Sequence, residues 1–303
     1  MDNFKLKKQI DYIVDDNIYP IKKDIDGNIV NNKELQALLL DMVLELDRVC
    51  RKNNIPYALG FGSALGLFNY HGFIPWDDDM DIVIDYEDIN RLIDAFNRDL
   101  DSKYYFDCYE DDKRYNVLIP TFKLKMHGTF LKEKNYYTIP NRCKKGNGIF
   151  IDIVAFMGVP STKKAHRKLL RYAKNRLVPY FILDSIFHIQ PYKMKKHIKE
   201  YEAKIYEQYK DSPTVSQTVI IPFQNWSTVV NQLAFPREVI YPFKEYDFMG
   251  HKLYSFNDLE EFCRLRYGDK SLKKLVNDHY EDPFPKRKRK VGHIWAISLK
   301  REK

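Results

Sequence analysis

Apolar residues follow two patterns along this chain, a helical spacing and short continuous runs. The spacing of leucines and valines from residue 31 to residue 52 predicts an amphipathic helix, and similar spacing returns at 86–100. Continuous apolar runs predict short buried strands at 57–61, 82–84 and 148–156. Because strands and helices are interspersed, the pattern predicts an α/β (α+β) fold with a β-sheet flanked by helices.

Four carboxylates stand within five positions just before the strand at 82–84: Asp77, Asp78, Asp79 and Asp81. Side chains two apart on a strand share one face, so Asp79 and Asp81 point at the same volume. Converging carboxylate oxygens suit Mg²⁺ or Mn²⁺, and without a cation their repulsion raises a pKa and destabilises the fold. The pattern therefore predicts a metal site, although acidic clusters also occur as solvated loops or calcium-binding turns.

A glycine and a serine, Gly62 and Ser63, precede this cluster. We predict a tight turn there, followed by a short helix from Ala64 to Tyr70 with Ser63 as its N-cap. The backbone N–H groups of such a helix terminus, next to a glycine, form a seat for phosphate. A phosphate seat that faces a divalent ion is the arrangement used in phosphoryl transfer.

The pair Gly62-Ser63 followed by Asp79-x-Asp81 resembles the DNA polymerase beta-like nucleotidyltransferase superfamily. The string GFIPWDDDMD at 72–81 is similar to the LicD family within it, which includes the fukutin-related enzymes. The resemblance covers roughly residues 35 to 270 and implies a nucleotidyltransferase-like mixed sheet with an additional helical C-terminal region. It implies transfer of a phospho-alcohol, phosphocholine or a polyol phosphate, from a CDP-activated donor to a glycan hydroxyl, with release of CMP.

The resemblance also assigns roles to the acids. Asp152 is the carboxylate inside the β-rich run at 148–156, where the superfamily places its third active-site acid. We expect Asp152 to join Asp79 and Asp81 as a metal ligand or to serve as general base, with Asp77 as a further catalytic acid. A structural ion pair with a lysine is the alternative for Asp152, since a buried charge needs a partner.

Donor-binding residues follow from the same resemblance. Ser63 and the Gly62 turn are expected to hold the donor pyrophosphate. Lys123 and Lys125 share one face of a predicted strand, and either is expected to contact a donor phosphate. Surface lysines on an edge strand are the alternative.

Two segments depart from the family pattern. Asn69-Tyr70-His71 stands where the family often has Arg-His-Lys, and a lysine-rich segment replaces the usual proline pair after Tyr267-Gly268-Asp269. The identities of the donor alcohol and of the acceptor are therefore not predicted.

Composition limits the class of protein. The net charge of +8 suits acidic substrates, an anionic membrane or nucleic acid, and nucleic acid is the least expected of the three. The four cysteines, Cys50, Cys108, Cys143 and Cys263, form no CxxC pair, which argues against a zinc site or a disulfide framework. Without a signal peptide or a long apolar run, we expect a cytoplasmic protein, with the inner membrane face as the alternative site.

Residues 161–176 are predicted to form a basic amphipathic helix. Its cations are Lys163, Lys164, Arg167, Lys168, Arg171, Lys174 and Arg176. Such a helix either packs on the catalytic domain or docks on an anionic membrane that carries a lipid-linked glycan. We divide the chain into an accessory segment (1–30), a catalytic core (31–160) and a helical and C-terminal region (161–303).

Two other functions stay open at this point. A nucleotidyltransferase would use the same residues to transfer NMP from an NTP to a small molecule or RNA. A non-catalytic nucleic-acid-binding protein would use the basic helices and the basic run at 286–290, with salt-dependent binding that survives loss of the acidic cluster.

Overall fold

A computed structural model describes residues 22–23, 29–30, 32–74, 77–108, 122–133, 148–172, 175, 179, 192–217, 234–269 and 294–298. The helices are α1 (Asn32–Lys52), α2 (Phe61–Tyr70), α3 (Ile89–Asp99), α4 (163–172), α5 (Tyr192–Tyr209), α6 (Arg237–Ile240) and α7 (Leu259–Tyr267), with a 3-10 turn at Tyr86–Asp88. The strands are β1 (Lys22–Lys23), β2 (Ile29–Val30), β3 (Tyr57–Leu59), β4 (Asp81–Asp85), β5 (Tyr104–Asp107), β6 (Phe122–Met126), β7 (Phe130–Glu133), β8 (Phe150–Gly158), β9 (Thr214–Gln217), β10 (Ala234–Pro236), β11 (Lys244–Phe248), β12 (His251–Ser255) and β13 (Ile294–Ser298).

Strand β8 organises the central sheet. Its first half pairs with β6 and its second half with β9, both antiparallel, while β4 runs parallel along its other edge. The main path of the sheet is β10-β9-β8-β4-β3-β12-β11, and β5 extends it beyond β6. Parallel and antiparallel pairs therefore occur in one open sheet, which confirms the predicted mixed sheet flanked by helices.

Helices α1 and α3 cover one face of this sheet. The Tyr57 hydroxyl on β3 donates a hydrogen bond to Asp47 of α1, and the ring of Phe96 on α3 meets the ring of Phe106 on β5. The apolar residues Ile82 and Ile84 of β4 point to this face and are fully buried. Their alternation with Asp81, Val83 and Asp85 is why the opposite face of β4 carries the acids.

Helices α2 and α7 cover that opposite face. The Phe61 ring of α2 packs edge-on against Phe156 of β8, and the Cys263 thiol of α7 lies 4.0 Å from the Ala64 carbonyl of α2. A side chain at Gly60 would meet the Val83 side chain at 2.6 Å, so the chain enters α2 pressed against β4. Glycine at that position permits this close approach.

The region after residue 160 contributes to the same sheet. Strands β9 to β12 pair within it, so this region is not only helical, and the proposed boundary at 160 stays a prediction. None of the described helices is long and apolar enough to cross a membrane. Most of the segment 1–30, Cys143, Lys174, Arg176 and the basic run at 286–290 lie outside the described residues.

Candidate active site

The acidic loop, formed by Asp77, Asp78 and Asp79, stands between α2 and β4. Gln36 of α1 fixes this loop, because its buried side-chain amide donates to the carbonyls of Ile74 (3.0 Å) and Asp77 (2.9 Å). The Asp77 N–H also donates to the Ile74 carbonyl at 2.9 Å. Gln36 could not be assigned to the site from the sequence, since its position on α1 predicts only a helix.

The acidic loop leads directly into β4. The strand begins at Asp81, so Asp79 belongs to the loop that precedes it, and the expectation that Asp79 and Asp81 point at one volume stays a prediction. Within the described part of the chain, Asp77, Asp78 and Asp79 form the group that brings three acidic side chains together, with one oxygen of each within 4.8 Å of the others. Asp78 is buried and was not assigned to the site from the sequence.

Like charges dominate the electrostatics of this loop. Burial raises the pKa of the Asp77 carboxyl well above its usual range, and the neighbouring Asp79, Asp78 and Asp81 carboxylates raise it further. A divalent cation would remove this repulsion, and carboxylate oxygens are the ligands that Mg²⁺ and Mn²⁺ prefer. The chemistry of the donor set therefore fits the predicted metal.

The first turn of α2 faces the acidic loop. A Cβ atom on Gly62 would lie 2.9 Å from the Asp77 carboxylate oxygen Oδ2, so only glycine leaves the present space between them. Phe61, the first residue of the helix, has a left-handed backbone with φ of 42°. Backbone N–H groups in this turn have no partner within the helix and are suited to bind an anion.

Ser63 has a different structural role from the predicted one. The helix begins at Phe61 with Gly60 as its N-cap, so the prediction of a helix that starts at Ala64 with Ser63 as its cap is wrong. The Ser63 hydroxyl instead accepts a hydrogen bond from the Asp81 N–H at 3.0 Å. From its position in the first turn, Ser63 thus connects α2 to the start of β4.

A row of charged residues crosses four strands next to the loop. The register places Asp81, Asp152, Lys123 and Asp107 side by side on β4, β8, β6 and β5. Directly paired residues point to one face of a sheet, so these side chains form a continuous line. The structure therefore places Asp152 beside Asp81 and a lysine directly after it, and the role of Asp152 as a third acid stays a prediction.

The two lysines of β6 have different partners. The Lys123 ammonium lies 2.9 Å from Asp152 Oδ1 and 3.1 Å from the centre of the Phe150 ring. The Lys125 ammonium lies 2.6 Å from Asp107 Oδ2, one step further from Asp152. Both lysines are buried, so the alternative of surface lysines on an edge strand is wrong. Lys123 is the one that borders the acids, and its contact with donor phosphate stays a prediction.

Tyr267 joins the site from the end of α7. Burial raises the pKa of its hydroxyl above the usual range, the Arg266 guanidinium opposes this shift, and the Asp81 and Asp77 carboxylates add to it. The Arg266 guanidinium also lies 5.1 Å from the centre of the Tyr267 ring. The Tyr-Gly-Asp string at 267–269 was the available signal, but its spatial position depends on how α7 packs against α2.

Comparisons with known proteins agree with this geometry. The family model described as "LicD/FKTN/FKRP, nucleotidyltransferase domain" matches residues 54–184, which include the acidic loop, the start of α2, Lys123 and Asp152. The chain is also 24% identical over 254 residues to a protein of Haemophilus influenzae named lipopolysaccharide cholinephosphotransferase LicD. That alignment covers 78% of this chain and 90% of the relative. The resemblance predicted from the motifs is confirmed.

Proposed function

Because residues 54–184 match the LicD-family nucleotidyltransferase model, we propose that the chain is a metal-dependent phosphotransferase that uses a CDP-activated alcohol. It transfers the phospho-alcohol, phosphocholine or a polyol phosphate, to a hydroxyl of a cell-surface glycan or its lipid-linked precursor. One observation carries the proposal: the acidic loop meets the first turn of α2 beside the row formed by Asp81, Asp152 and Lys123. The name of the Haemophilus influenzae relative supports choline phosphate as the group and a glycan as the acceptor.

Asp79, Asp81 and Asp152 would hold the Mg²⁺ or Mn²⁺ ion, next to Asp77 and Asp78. When bound, the ion would neutralise phosphate charge and polarise the phosphorus that is attacked. This set is accessible because the three named ligands are each partly exposed. Like-charge repulsion in the acidic loop supports a bound cation.

The first turn of α2 and Lys123 would bind the donor pyrophosphate. The N–H groups of Gly62 and Ser63 stand at the helix terminus, where the helix dipole favours negative charge. Lys123 approaches from the other side of Asp152, so its ammonium is available to a phosphate oxygen once the substrate enters. Positioning of this kind accounts for most catalysis in phosphoryl transfer.

The reaction then consists of one displacement at phosphorus. The acceptor hydroxyl oxygen forms a bond to the phosphorus that carries the alcohol, and the bond from this phosphorus to the bridging oxygen breaks. CMP leaves with the electron pair of that bond. The hydroxyl proton passes to a carboxylate of the site, for which we nominate Asp152, because its side chain is partly exposed beside Asp81.

A product assay tests the proposal. The purified chain is incubated with Mg²⁺, an acceptor glycan and a panel of CDP-alcohols and nucleoside triphosphates, and the released nucleotide is identified. We expect CMP from a CDP-alcohol, none from the Asp79→Asn variant, and none after chelation of the metal. Release of pyrophosphate from a nucleoside triphosphate would instead establish the nucleotidyltransferase alternative. Absence of both products with every donor would refute the proposed reaction.

The basic helix α4 bears on where the acceptor is found. Lys163, Lys164, Arg167, Lys168 and Arg171 are all exposed. None of them forms an ion pair with a residue that the structure describes. We infer that this surface docks the enzyme on an anionic membrane that carries a lipid-linked glycan, with the attraction expected for basic clusters.

A further inference from the structure

One polar side chain interrupts the apolar stripe by which α1 packs into the core. Gln36 is 5% exposed, and Leu35, Leu39 and Val43 of the same stripe are also buried. A buried amide is costly unless its polar atoms have partners, and leucine at this position would avoid that cost. Packing of α1 therefore does not explain a glutamine here, whereas its hydrogen bonds do.

The Gln36 amide joins the two ends of the segment 74–77. Its Nε2 atom lies 3.0 Å from the Ile74 carbonyl oxygen and 2.9 Å from the Asp77 carbonyl oxygen, so one NH₂ group serves both ends. The Asp77 N–H donates to the Ile74 carbonyl at 2.9 Å across the same segment. The backbone at Asp77, where the acidic loop begins, is thus held by a residue that stands 41 positions earlier in the chain.

Packing against α2 holds the chain just before this segment. A Cβ atom on Gly66 would lie 2.5 Å from the Gly72 carbonyl oxygen and 2.9 Å from the Ile74 nitrogen, so the chain is pressed against α2 there. Gln36 extends this support to Asp77, because its amide joins the Ile74 carbonyl to the Asp77 carbonyl. The acidic loop is therefore attached to both α1 and α2.

Repulsion within the acidic loop gives this attachment a consequence for cation binding. One oxygen of each of Asp77, Asp78 and Asp79 lies within 4.8 Å of the others, and like charges at this distance push an unsupported loop apart. Such a loop must be drawn together again when a cation binds, and this cost lowers the affinity. A loop whose backbone is fixed beforehand avoids the cost.

The Gln36 amide supports the loop without adding charge to it. A lysine could donate to the same carbonyls, but its positive charge would compensate the carboxylates and compete with the cation. Asp152 shows that alternative, because the Lys123 ammonium lies 2.9 Å from its carboxylate. At the acidic loop, the amide gives two hydrogen bonds and leaves the negative charge for a metal ion.

We propose that Gln36 is a positioning residue that sets the affinity of the acidic loop for its divalent cation. This inference rests on the proposed metal-dependent function. Gln36 acts on the ion through the backbone carbonyl of Asp77 and is not itself a ligand. Loss of an outer hydrogen-bond partner of this kind lowers metal affinity by about tenfold to a hundredfold.

Mn²⁺ binding to the full chain measures this role without turnover. Electron paramagnetic resonance of free Mn²⁺ gives the dissociation constant for the original protein and for Gln36→Leu, which keeps a side chain of similar size but removes both donors. We expect this constant to rise by about tenfold to a hundredfold. Val43→Ala is the matched control, because it loosens the same buried face of α1 about two turns away and should leave the constant unchanged.

Hydrogen exchange on the metal-free proteins gives a second measurement. The Asp77 N–H should exchange faster in Gln36→Leu than in Val43→Ala, since the support of the Asp77 backbone is lost. Saturating Mn²⁺ should restore turnover in Gln36→Leu, because the ligands themselves are intact. If Gln36→Leu proves unfolded in a thermal scan, Gln36→Met, which is unbranched like glutamine, takes its place with the same expectations.

The outcomes distinguish this inference from the proposed function. Mn²⁺ binding that is lost in Asp79→Asn but unchanged in folded Gln36→Leu would overturn the role of Gln36 and leave the metal site in place. An equal loss of affinity in Gln36→Leu and Val43→Ala would also overturn it, because loosening of α1 would explain both. No Mn²⁺ binding by the original protein would refute the metal-dependent function itself, and this inference with it.

Discussion

Two ion pairs on the same face of β6 have similar lengths but different surroundings. Lys123 lies 2.9 Å from Asp152 and Lys125 lies 2.6 Å from Asp107, and both lysine side chains are 5% exposed. The carboxylates differ, because the Asp152 side chain is 22% exposed and that of Asp107 is 0% exposed. A substrate can therefore reach the first pair, whereas the second is enclosed by the protein.

The difference separates a reactive pair from a structural one. An enclosed ion pair cannot exchange its partner, so removing one member leaves a buried charge that costs about 3–5 kcal/mol. At the open pair, a phosphate oxygen can take a place beside the Lys123 ammonium, and solvent limits the penalty when a partner is lost. The same two residue types on one strand face thus support chemistry or stability, depending on the exposure of the acid.

The largest effect is expected from substitution of Asp81 or Asp152, the two partly exposed acids of the charged row. Asp81→Asn or Asp152→Asn should reduce turnover by about ten-thousandfold or more, equivalent to roughly 5.5 kcal/mol, because metal binding and proton transfer are lost. The melting temperature of Asp81→Asn should stay near the original value, whereas that of Asp152→Asn should fall, because the buried Lys123 ammonium loses its carboxylate partner. Asp79→Asn should even raise the melting temperature, since it relieves the repulsion that acts on Asp77. CMP release and thermal scans on the same preparations measure both quantities.

Near-normal turnover of Asp81→Asn at saturating Mg²⁺ would refute the metal assignment. For Asp152→Asn, a fall in stability with turnover unchanged in the folded fraction would return the residue to the structural alternative. This result would also remove the contrast between the two ion pairs.

The enclosed pair is expected to give the opposite result. Lys125→Met leaves the fully buried Asp107 carboxylate without its ammonium partner, and the free energy of unfolding should fall by about 3–5 kcal/mol. Turnover per folded molecule should change little, because Lys125 is one step removed from Asp152. Urea unfolding monitored by tryptophan fluorescence measures the stability.

Lys123→Met is the matched control on the same strand face. It should weaken donor binding and lower turnover with a smaller loss of stability, since Asp152 keeps access to solvent. The double variant Lys125→Met with Asp107→Leu should recover most of the lost stability, because an apolar pair replaces a buried ion pair at little cost. Equal stability losses for Lys123→Met and Lys125→Met would contradict the comparison.

The sequence predicted the parts of the site that depend on short range patterns. The run at 148–156 predicts the strand that carries Asp152, and the period of two places Lys123 and Lys125 on one face. The ion-pair partners of these residues depend on the register of β6 against β8 and β5, which no local pattern specifies. Asp152 is partly exposed to solvent and Asp107 is enclosed because of that register, so neither exposure could be predicted from the sequence.

Long-range packing explains the remaining differences. Gln36 lies in α1, about forty positions before the loop whose carbonyls it binds, and Tyr267 reaches the acids only because α7 packs on α2. Ser63 was predicted as a cap from the preference of serine for helix N-termini. Its hydroxyl accepts a hydrogen bond from the Asp81 N–H instead of capping the helix, and the helix begins three residues earlier than predicted.

The cations of helix α4, unlike the two paired lysines of β6, lack a carboxylate partner among the described residues. If its surface docks on an anionic membrane, each cation adds about 1 kcal/mol of attraction, which salt weakens by shortening the Debye length. Replacement of Lys164, Lys168 and Arg171 by glutamate should therefore weaken binding to anionic vesicles, with a loss of at least about 3 kcal/mol of binding free energy. Vesicle sedimentation at low and high salt measures this effect.

Transfer assays with two acceptors separate docking from catalysis. The triple variant should slow transfer to a lipid-linked acceptor but leave transfer to a free oligosaccharide nearly unchanged. If the original protein does not sediment with anionic vesicles at low salt, the docking proposal fails. Salt-dependent binding to RNA instead of vesicles would favour the nucleic-acid alternative.

The smallest effect is expected from Gly62→Ala. This substitution tests whether the first turn of α2 can lose turnover without losing stability. In Gly62→Ala the new methyl group would lie 2.9 Å from Asp77 Oδ2, and this flexible carboxylate must move away from the acids. We expect turnover to fall by about tenfold, or roughly 1.4 kcal/mol. The melting temperature should hold or rise, because alanine is favoured over glycine in a helix by up to about 1 kcal/mol.

Gly66→Ala is the control for the same substitution in the same helix. Its methyl group would lie 2.5 Å from the Gly72 carbonyl oxygen, which is backbone and cannot move as a side-chain carboxylate does. Gly66→Ala should therefore lower the melting temperature and leave turnover of the folded fraction less affected, the reverse of Gly62→Ala. Because both substitutions add one methyl group, opposite results would show that the space over Gly62 serves the acids and not the packing of α2. Loss of stability in both variants, with turnover following it, would assign Gly62 to packing alone.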